Sequence, residues 1–476
     1  MKKILFYNWI PFDEKEGKGG GVTVYVRNLI ACFIRHPEWQ VYFLSSGRAY
    51  NYWKKGPYIE RTENIFGKAC KSYRIVNSPI FSSARISFPF PKDYLTDRSL
   101  LEVILDFLQK EGRMDIIHFQ NFEGLSLSVF ELKRYVPDTK IIYSLHNYYL
   151  FCPQVMLWRG EERCMEKHCG LSCLECSPGD VYKKKVKFNQ NYNYFCEKGM
   201  TPQCRRVWDM LQKAVAWMAE RYSQLHRDKF GNPALYAKLY ADFETKNVEA
   251  ANRYVDRFLA VSERVAEIAI QKGIVREKIL INYIGTEAAQ NRNQKQKCRY
   301  TGGVFHIAYF GYMRKMKGFY FLLDALENMN MELAVRIGVC IAAPGTDEEA
   351  RERIKKLEEK FADVAYYDGY THSQMKEILA HIHLGIVPVL WEDNLPQVAI
   401  EMKAYGVAVL CSNLGGAKEL SPTEDFVFQA GNRRDFYRKL EKLVNHPNLL
   451  EAYFSGGREP LTTEEHFSQL INIYEG

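Results

Sequence analysis

The sequence predicts an α/β protein of two doubly wound, parallel-sheet domains, and three observations carry that prediction. With 476 residues, the chain exceeds the size at which one hydrophobic core usually stops growing. Short continuous apolar runs alternate with amphipathic helical patterns in both halves, the pattern of parallel strands covered on both faces. Between the two series lies "QNRNQKQKCRYTGG", a polar stretch that predicts a linker over 290–304.

The first series opens with "KKILFYNW" as a strand, "GVTVYVRNLIACFIRH" as a helix and "QVYFLSS" as a strand. "LLEVILDFLQKEG" then predicts a helix, "DIIHFQ" a strand, "SLSVFELKRYV" a helix and "KIIYSLHN" a strand. Residues 151–255 break the alternation, being Cys- and Tyr-rich and then helical, and read as an insertion. "VDRFLAVSERVAEIAIQKGIVREKILINYIG" resumes strand–helix–strand and completes a first domain over 1–289. The second series, from "VFHIAYFG" to "AVLCS", builds a second domain over 305–460. The last stretch, 461–476, reads as a helix starting at Thr462 or Thr463, with Phe467, Leu470, Ile471 and Tyr474 on one face.

Hydrophobic residues at 47% and charged residues at 26% are ordinary for a globular chain. No stretch offers eighteen uninterrupted apolar residues, so no spanning helix is predicted. The first apolar run is too short for a secretion signal and acids follow it, which predicts a cytoplasmic protein with mostly reduced cysteines. A net charge of +8 favours anionic partners.

Three loops stand where a parallel sheet binds ligands, between a strand end and the next helix. "GKGGGV" (17–22) follows the first strand, and Gly19, Gly20 and Gly21 let backbone N–H groups approach an oxyanion. By itself this stretch reads equally as a plain surface loop. "GYMRKMKG" (311–318) sets Arg314, Lys315 and Lys317 at a helix start, where cations are disfavoured unless a phosphate neutralises them. "WEDNLPQVAIEMKAYG" (391–406) places Asp393, Asn394 and Leu395 just outside a helix that Pro396 opens, and Glu401 more than a turn inside it. Such a pair of acids can hold sugar hydroxyls while free N–H groups meet phosphate, although helix capping alone also accounts for the first acid.

Four ordered stretches then resemble one family. "DNLPQVAIEMKAYGVAVLCSNLGGAKEL" resembles the E-x7-E signature of retaining glycosyltransferases of family 4. "FGYMRKMKGFYFLLDALE" resembles their phosphate loop, and "VDRFLAVSERVAEIAIQKGIVREKILIN" a further family segment. "SLHNYYLFCP" resembles a motif of the bacterial surface-polysaccharide subset. The resemblance implies the GT-B arrangement of two Rossmann-like domains, with the last helix crossing back to the first. It implies a retaining transfer, usually without a metal, from a nucleotide-sugar (UDP- or GDP-linked) to a glycan or lipid-linked acceptor. By position, Lys317 would bind diphosphate, with Arg314 standing in for the arginine that Tyr312 replaces. Asp393 would touch the donor sugar and Glu401 the ribose, with Asn394 and Leu395 beside them. Gly19, Gly20 and Gly21 would approach from the first domain, and His146 would face the reacting carbon. Asp393 is one methylene shorter than the family's glutamate, and Asn147 replaces the usual aspartate. A nucleotide-sugar hydrolase or epimerase on this fold, or a degenerate binding protein, would share the phosphate contacts.

The insertion holds seven of the twelve cysteines. Cys173 and Cys176 form one C-x2-C pair with Cys164 and Cys169 nearby, so a structural zinc is one reading and reduced, packed thiols the other. His118 reads as an acceptor contact or a structural histidine, and "NQNYNYF" (189–195) as sugar-stacking rings or the filling of the insert's own core. Val207, Leu211, Ala214, Val215, Met218, Tyr222 and Leu225 form an apolar helical stripe beside Trp208 and Trp217. With "KKKVK" (183–187) it predicts peripheral contact at the inner membrane face, against the alternative that it packs on its own domain. No nucleic-acid partner is expected.

Overall fold

A computed structural model of the chain describes residues 1–14, 19–178, 181–201, 204, 207–208, 210–211, 215, 221, 232–294, 300–345 and 347–476. Its strands are β1 (Lys2–Tyr7), β2 (Trp39–Ala49), β3 (Tyr58–Thr62), β4 (Cys70–Val76), β5 (Ile116–Phe119), β6 (Lys140–Leu145), β7 (Trp158–Arg159), β8 (Glu162–Arg163), β9 (Arg257–Ala260) and β10 (Ile279–Ile281). The second half adds β11 (Phe305–Phe310), β12 (Ile337–Ala342), β13 (Asp363–Tyr367), β14 (Leu384–Val387), β15 (Ala408–Ser412) and β16 (Val427–Phe428).

Two mainly parallel sheets and a small antiparallel β7-β8 hairpin result. The first runs β10-β9-β6-β5-β1-β2-β4-β3, the second β13-β12-β11-β14-β15-β16. Every residue of β5, β12 and β15 is buried, as the continuous apolar runs require of strands covered on both faces. In each sheet the strand order reverses beside the first strand of the series, so β1 and β11 deliver their following loops to the ligand-binding edge.

The closing helix, Thr463–Glu475, begins with a capping box between Thr462 and Glu465. It lies on the first domain: the Phe467 ring is 4.7 Å from Phe33 and stacks 4.1 Å from His36. Leu470 and Tyr474 are buried with it.

Several local expectations are corrected. The segment read as a single helix, "SLSVFELKRYV", is a 3-10 turn (Leu127–Glu131) and a one-turn helix (Leu132–Tyr135); its serines and β-branched and aromatic residues are poor helix formers, and Ser128, Val129 and Phe130 are buried. Strand β4 and the antiparallel edge strand β3 extend the first sheet where no strand was expected. Of the "NQNYNYF" rings, Tyr192 packs within the insertion, 6.1 Å from Trp208. The rings belong to the helix Lys183–Glu197, whose Tyr194 packs on Ala49 and Val76 at the sheet edge. On the same helix, Lys183 pairs with Asp93 and Lys187 lies 5.0 Å over the Tyr50 ring. Most of the predicted apolar stripe, including Ala214, Met218, Tyr222, Leu225 and Trp217, lies outside the described residues. Among the described residues no helix is long and apolar enough to cross a membrane.

Candidate active site in the interdomain cleft

The ends of β1 and β6 face those of β11 and β14 across a cavity of about 520 Å3. Gly20, Gly21 and His146 line it from the first domain; Lys317, Asp393, Asn394, Leu395 and Glu401 line it from the second.

The second-domain wall is built from two loops. After β11, residues Lys315–Lys317 form a 3-10 turn ending at Gly318, which takes φ +74°. A Cβ there would lie 1.7 Å from the Pro388 carbonyl oxygen, so only glycine lets this loop meet the one after β14. The turn aims Lys317 inward, where its Nζ pairs with Asp393 Oδ2 at 2.6 Å and stands 5.2 Å over the Trp391 ring. Asp393 in turn is held by its backbone: the Gly416 N–H donates to its carbonyl at 2.9 Å, and Gly415, at φ +70°, leaves no room for a Cβ against it.

Asp393 and Asn394 precede the helix Gln397–Ala404, whose N-terminus has no side-chain cap. The first N–H groups of such a helix have no partner within it and carry partial positive charge. Glu401 is buried in the same helix and lines the cavity. Asn394 donates its Nδ2 to the Leu145 carbonyl at 3.3 Å, and Ser262 Oγ donates to the Asn394 carbonyl at 2.7 Å, so this residue ties the two domains together.

On the first-domain wall the helix Gly20–Phe33 also starts without a side-chain cap. Gly21 faces Gln397: a Cβ on it would sit 2.7 Å from Gln397 Oε1. Gly19 is the N-cap and packs on Thr23, which a Cβ would overlap. His146 follows β6, with its Nε2 2.9 Å from Gln120 Oε1 and its ring 4.8 Å from Tyr25. Burial, with the nearby His466, pushes its pKa down to about 3, so the imidazole is neutral at neutral pH. Its neighbour Asn147 donates to Glu123 Oε1 at 3.0 Å, and burial lifts that carboxyl to about 7.

Two predicted residues fall elsewhere. Arg314 is exposed and outside the cavity wall, its guanidinium 5.4 Å over the Tyr312 ring, because the 3-10 turn that brings Lys317 in turns Arg314 out. His118 is fully buried, with Nδ1 2.6 Å from Tyr474 Oη and Nε2 2.8 Å from Ser144 Oγ. It is a structural histidine that anchors the closing helix.

Sequence reasoning also missed Glu392, buried beside Asp393. It accepts from Arg264 Nη2 at 2.8 Å and Arg163 Nη1 at 2.9 Å, both from the first domain. Burial raises its pKa, but Arg264, the Gly415 N–H and then Arg163 outweigh that and hold the carboxyl below the usual range. Its only sequence signal was a second acid adjoining the motif.

The four predicted zinc thiols do not converge as expected. Among the described residues, the only three Cys, His or acidic ligand atoms lying within 4.8 Å of one another belong to Cys32, His36 and Glu464. Cys164, Cys169, Cys173 and Cys176 instead surround a small separate cavity together with Cys152.

Residues 304–446 match the family model described as glycosyl transferases group 1. No curated protein sequence matches the chain. Among solved structures the chain is similar to Anabaena HepE in complex with UDP and glucose (14% identity, all of both chains, TM-score 0.53). It is also similar to sucrose-phosphate synthase from Thermosynechococcus elongatus (14% identity, 100% of this chain and 98% of that one, TM-score 0.54). A third is a UDP-forming trehalose-phosphate synthase from Burkholderia xenovorans in complex with glucose-6-phosphate (11% identity, all of both chains, TM-score 0.55). The fold is therefore GT-B, with a glycosyltransferase group 1 domain on its second half.

Proposed function

We propose that the protein is a retaining glycosyltransferase that moves a sugar from a nucleoside-diphosphate sugar to a glycan or lipid-linked acceptor, in bacterial surface-polysaccharide assembly. The observation that carries this reading is the placement of Lys317, paired with Asp393, beside one uncapped helix N-terminus and across the cavity from another. One fixed cation and two helix ends form a cradle for a diphosphate. Binding would draw Lys317 toward phosphate oxygens and free Asp393 to accept from sugar hydroxyls. Glu401, a turn further along the helix, lies where a ribose diol would reach it.

In the transfer, the acceptor oxygen would bond to the anomeric carbon on the face from which the diphosphate leaves. The acceptor's proton would pass to the departing diphosphate oxygen, whose charge Lys317 and the helix ends would stabilise. His146, half-buried and neutral, would position the sugar by hydrogen bonding without protonating the phosphate. The matched domain model and the UDP-sugar ligands of HepE support a donor of this class.

The test begins with thermal shifts against UDP-, GDP-, ADP- and dTDP-sugars, because a ligand bound only to the native state raises apparent stability. One of these donors should stabilise the protein and, with an acceptor extract, yield a product whose anomeric configuration matches the donor. Release of free sugar at the same rate without acceptor would refute transfer in favour of hydrolysis. Binding with no turnover of any kind would point to a degenerate site.

A further inference from the structure

Trp53 is 85% exposed, with Tyr52 exposed beside it. Both sit in "YNYWKKGPY" (50–58), the stretch leading from β2 into β3, where Lys54 and Lys55 follow them into solvent and no acid occurs. A single exposed ring is ordinary on a protein surface, but here the backbone beneath the rings is fixed. Asn77, at φ +61°, donates its Nδ2 to the carbonyls of Asn51 at 3.1 Å and Lys54 at 2.8 Å. Its Oδ1 accepts the Asn51 N–H at 2.7 Å, and Asn51 Oδ1 accepts the Trp53 N–H at 2.9 Å. Both asparagines are buried. The loop is thus braced from within, and the indole stays in water on an ordered backbone.

The loop leans on the insertion. The Tyr52 N–H donates to Asn191 Oδ1 at 3.1 Å, and the Tyr58 and Tyr194 hydroxyls are 3.3 Å apart. Asn191 and Tyr194 belong to the helix Lys183–Glu197, whose first turn adds Lys184 and Lys185 and has no acid. Cations at a helix start are disfavoured by its dipole unless an anion meets them. The one acid of β3, Glu60, and the one acid of that helix, Glu197, are both paired with Arg74. No ion pair engages Lys54, Lys55, Lys184 or Lys185 among the described residues. The same helix holds the Trp208 ring 4.8 Å from Phe188, while neighbouring Val207, Met210 and Leu211 are exposed. Of the predicted apolar stripe, Val207 and Leu211 therefore face solvent.

Strands β1 and β2 are parallel, so the loop leaves the first sheet at the edge that carries Gly20, Gly21 and His146 to the cleft. Exposed rings, unpaired lysines and the mouth of the cleft share one end of the domain.

We propose that Trp53, Tyr52 and the lysines around them dock the first domain on an anionic lipid bilayer. The two rings enter the headgroup layer, where a flat apolar body with a polar tip is most stable. Lys54, Lys55 and Lys184 meet lipid phosphates, and Met210 and its exposed neighbours add apolar area. Attachment is peripheral. It turns the cleft edge of the first sheet toward the membrane, and it rests on the proposed function only in what it delivers, a lipid-linked acceptor.

The test is co-sedimentation with sucrose-loaded vesicles of phosphatidylcholine, with or without phosphatidylglycerol. Wild type should sediment with the mixed vesicles at low salt, less at high salt, and little with phosphatidylcholine alone. Trp53→Ser should weaken partitioning by about tenfold or more, and Lys55→Ser combined with Lys184→Ser by about tenfold with a shallower salt dependence. Trp53→Phe should keep most of the binding. Met331→Ser, at an exposed apolar position on the second domain, should change nothing. Thermal midpoints should stay at the wild-type value in every variant, which separates lost docking from lost folding. Equal sedimentation of wild type and Trp53→Ser, or none of the wild type, would overturn the surface. Equal sedimentation with neutral vesicles would overturn its anionic partner. A Trp53-dependent dimer in solution without vesicle binding would assign the loop to a second copy of the chain instead. No arm uses donor or acceptor, so Trp53-dependent vesicle binding by a protein that transfers no sugar would support the docking surface and count against the transferase reading alone.

Discussion

The two walls of the cleft are built by different means. The second-domain wall takes Lys317 from one loop and Asp393 and Glu401 from another, each a short continuous segment after a strand. It presents an ion pair and an uncapped helix to the cavity. The first-domain wall is neutral where it meets the cavity. His146 keeps its place through Gln120 and Tyr25, and Tyr25 Oη lies 2.7 Å from His466 Nε2 on the closing helix. One wall is local and charged, so a lost side chain there should remove binding and leave the fold. The other is assembled from distant segments and held by buried partners, so a lost contact there should cost stability first.

The largest effect is expected on the charged wall. Lys317→Ala should lower turnover by about a hundredfold or more, the scale for removing one donor to developing anionic charge. Glu401→Gln should weaken nucleotide-sugar binding or turnover by at least tenfold, ~1.4 kcal/mol. Both variants should keep a wild-type circular dichroism spectrum. Wild-type kinetics in both would remove these residues from the site.

A smaller effect, of the opposite kind, is expected on the neutral wall. Tyr474→Phe leaves the fully buried His118 Nδ1 without its partner. Stability to urea should fall by about 1–3 kcal/mol, with nucleotide affinity within twofold of wild type. Loss of affinity at unchanged stability would mean that the closing helix acts on the site directly.

The pH dependence should separate the walls most finely. Burial holds His146 near pKa 3 and His466 near 4, both below the ordinary value of about 6.5. The unfolded chain therefore binds more protons as pH falls below 6.5, and the stability these neutral rings permit drains away between about 6.5 and 4. Each should contribute at most ~1.4 kcal/mol per pH unit. Glu123, lifted to about 7, works in the opposite sense over this window, but the two rings together outweigh one carboxyl, so thermal midpoints measured at pH 7, 6 and 5 should fall, and His466→Gln should flatten the decline. A wild-type midpoint unchanged from pH 7 to 5 would show that the rings are hydrated.

The contrast between the walls also explains what was legible beforehand. The strands after which each loop falls, and the helix that Asp393 precedes and Glu401 joins, could be read because strand burial and a helix start are local properties of contiguous residues. The capping box at Thr462 and the apolar face of the last helix were legible for the same reason. Arg314 was misplaced because a 3-10 turn, rather than the helix itself, follows β11, and one turn of different pitch sends neighbouring cations in opposite directions. Residues 50–98 hid β3 and β4 because the edge strand β3 has no buried residue and Lys71 and Arg74 interrupt the apolar run of β4.

The sequence by itself determined the two-sheet α/β plan, the loops that carry charge to the cleft and the helix that closes the chain, since each follows from periodicity and backbone constraint within one segment. Only the tertiary structure decided that His118 is an anchor and that Glu392 gathers Arg163 and Arg264. Those outcomes depend on which side chains long-range folding brings within hydrogen-bonding reach and seals from water, and spacing along a chain carries no record of that.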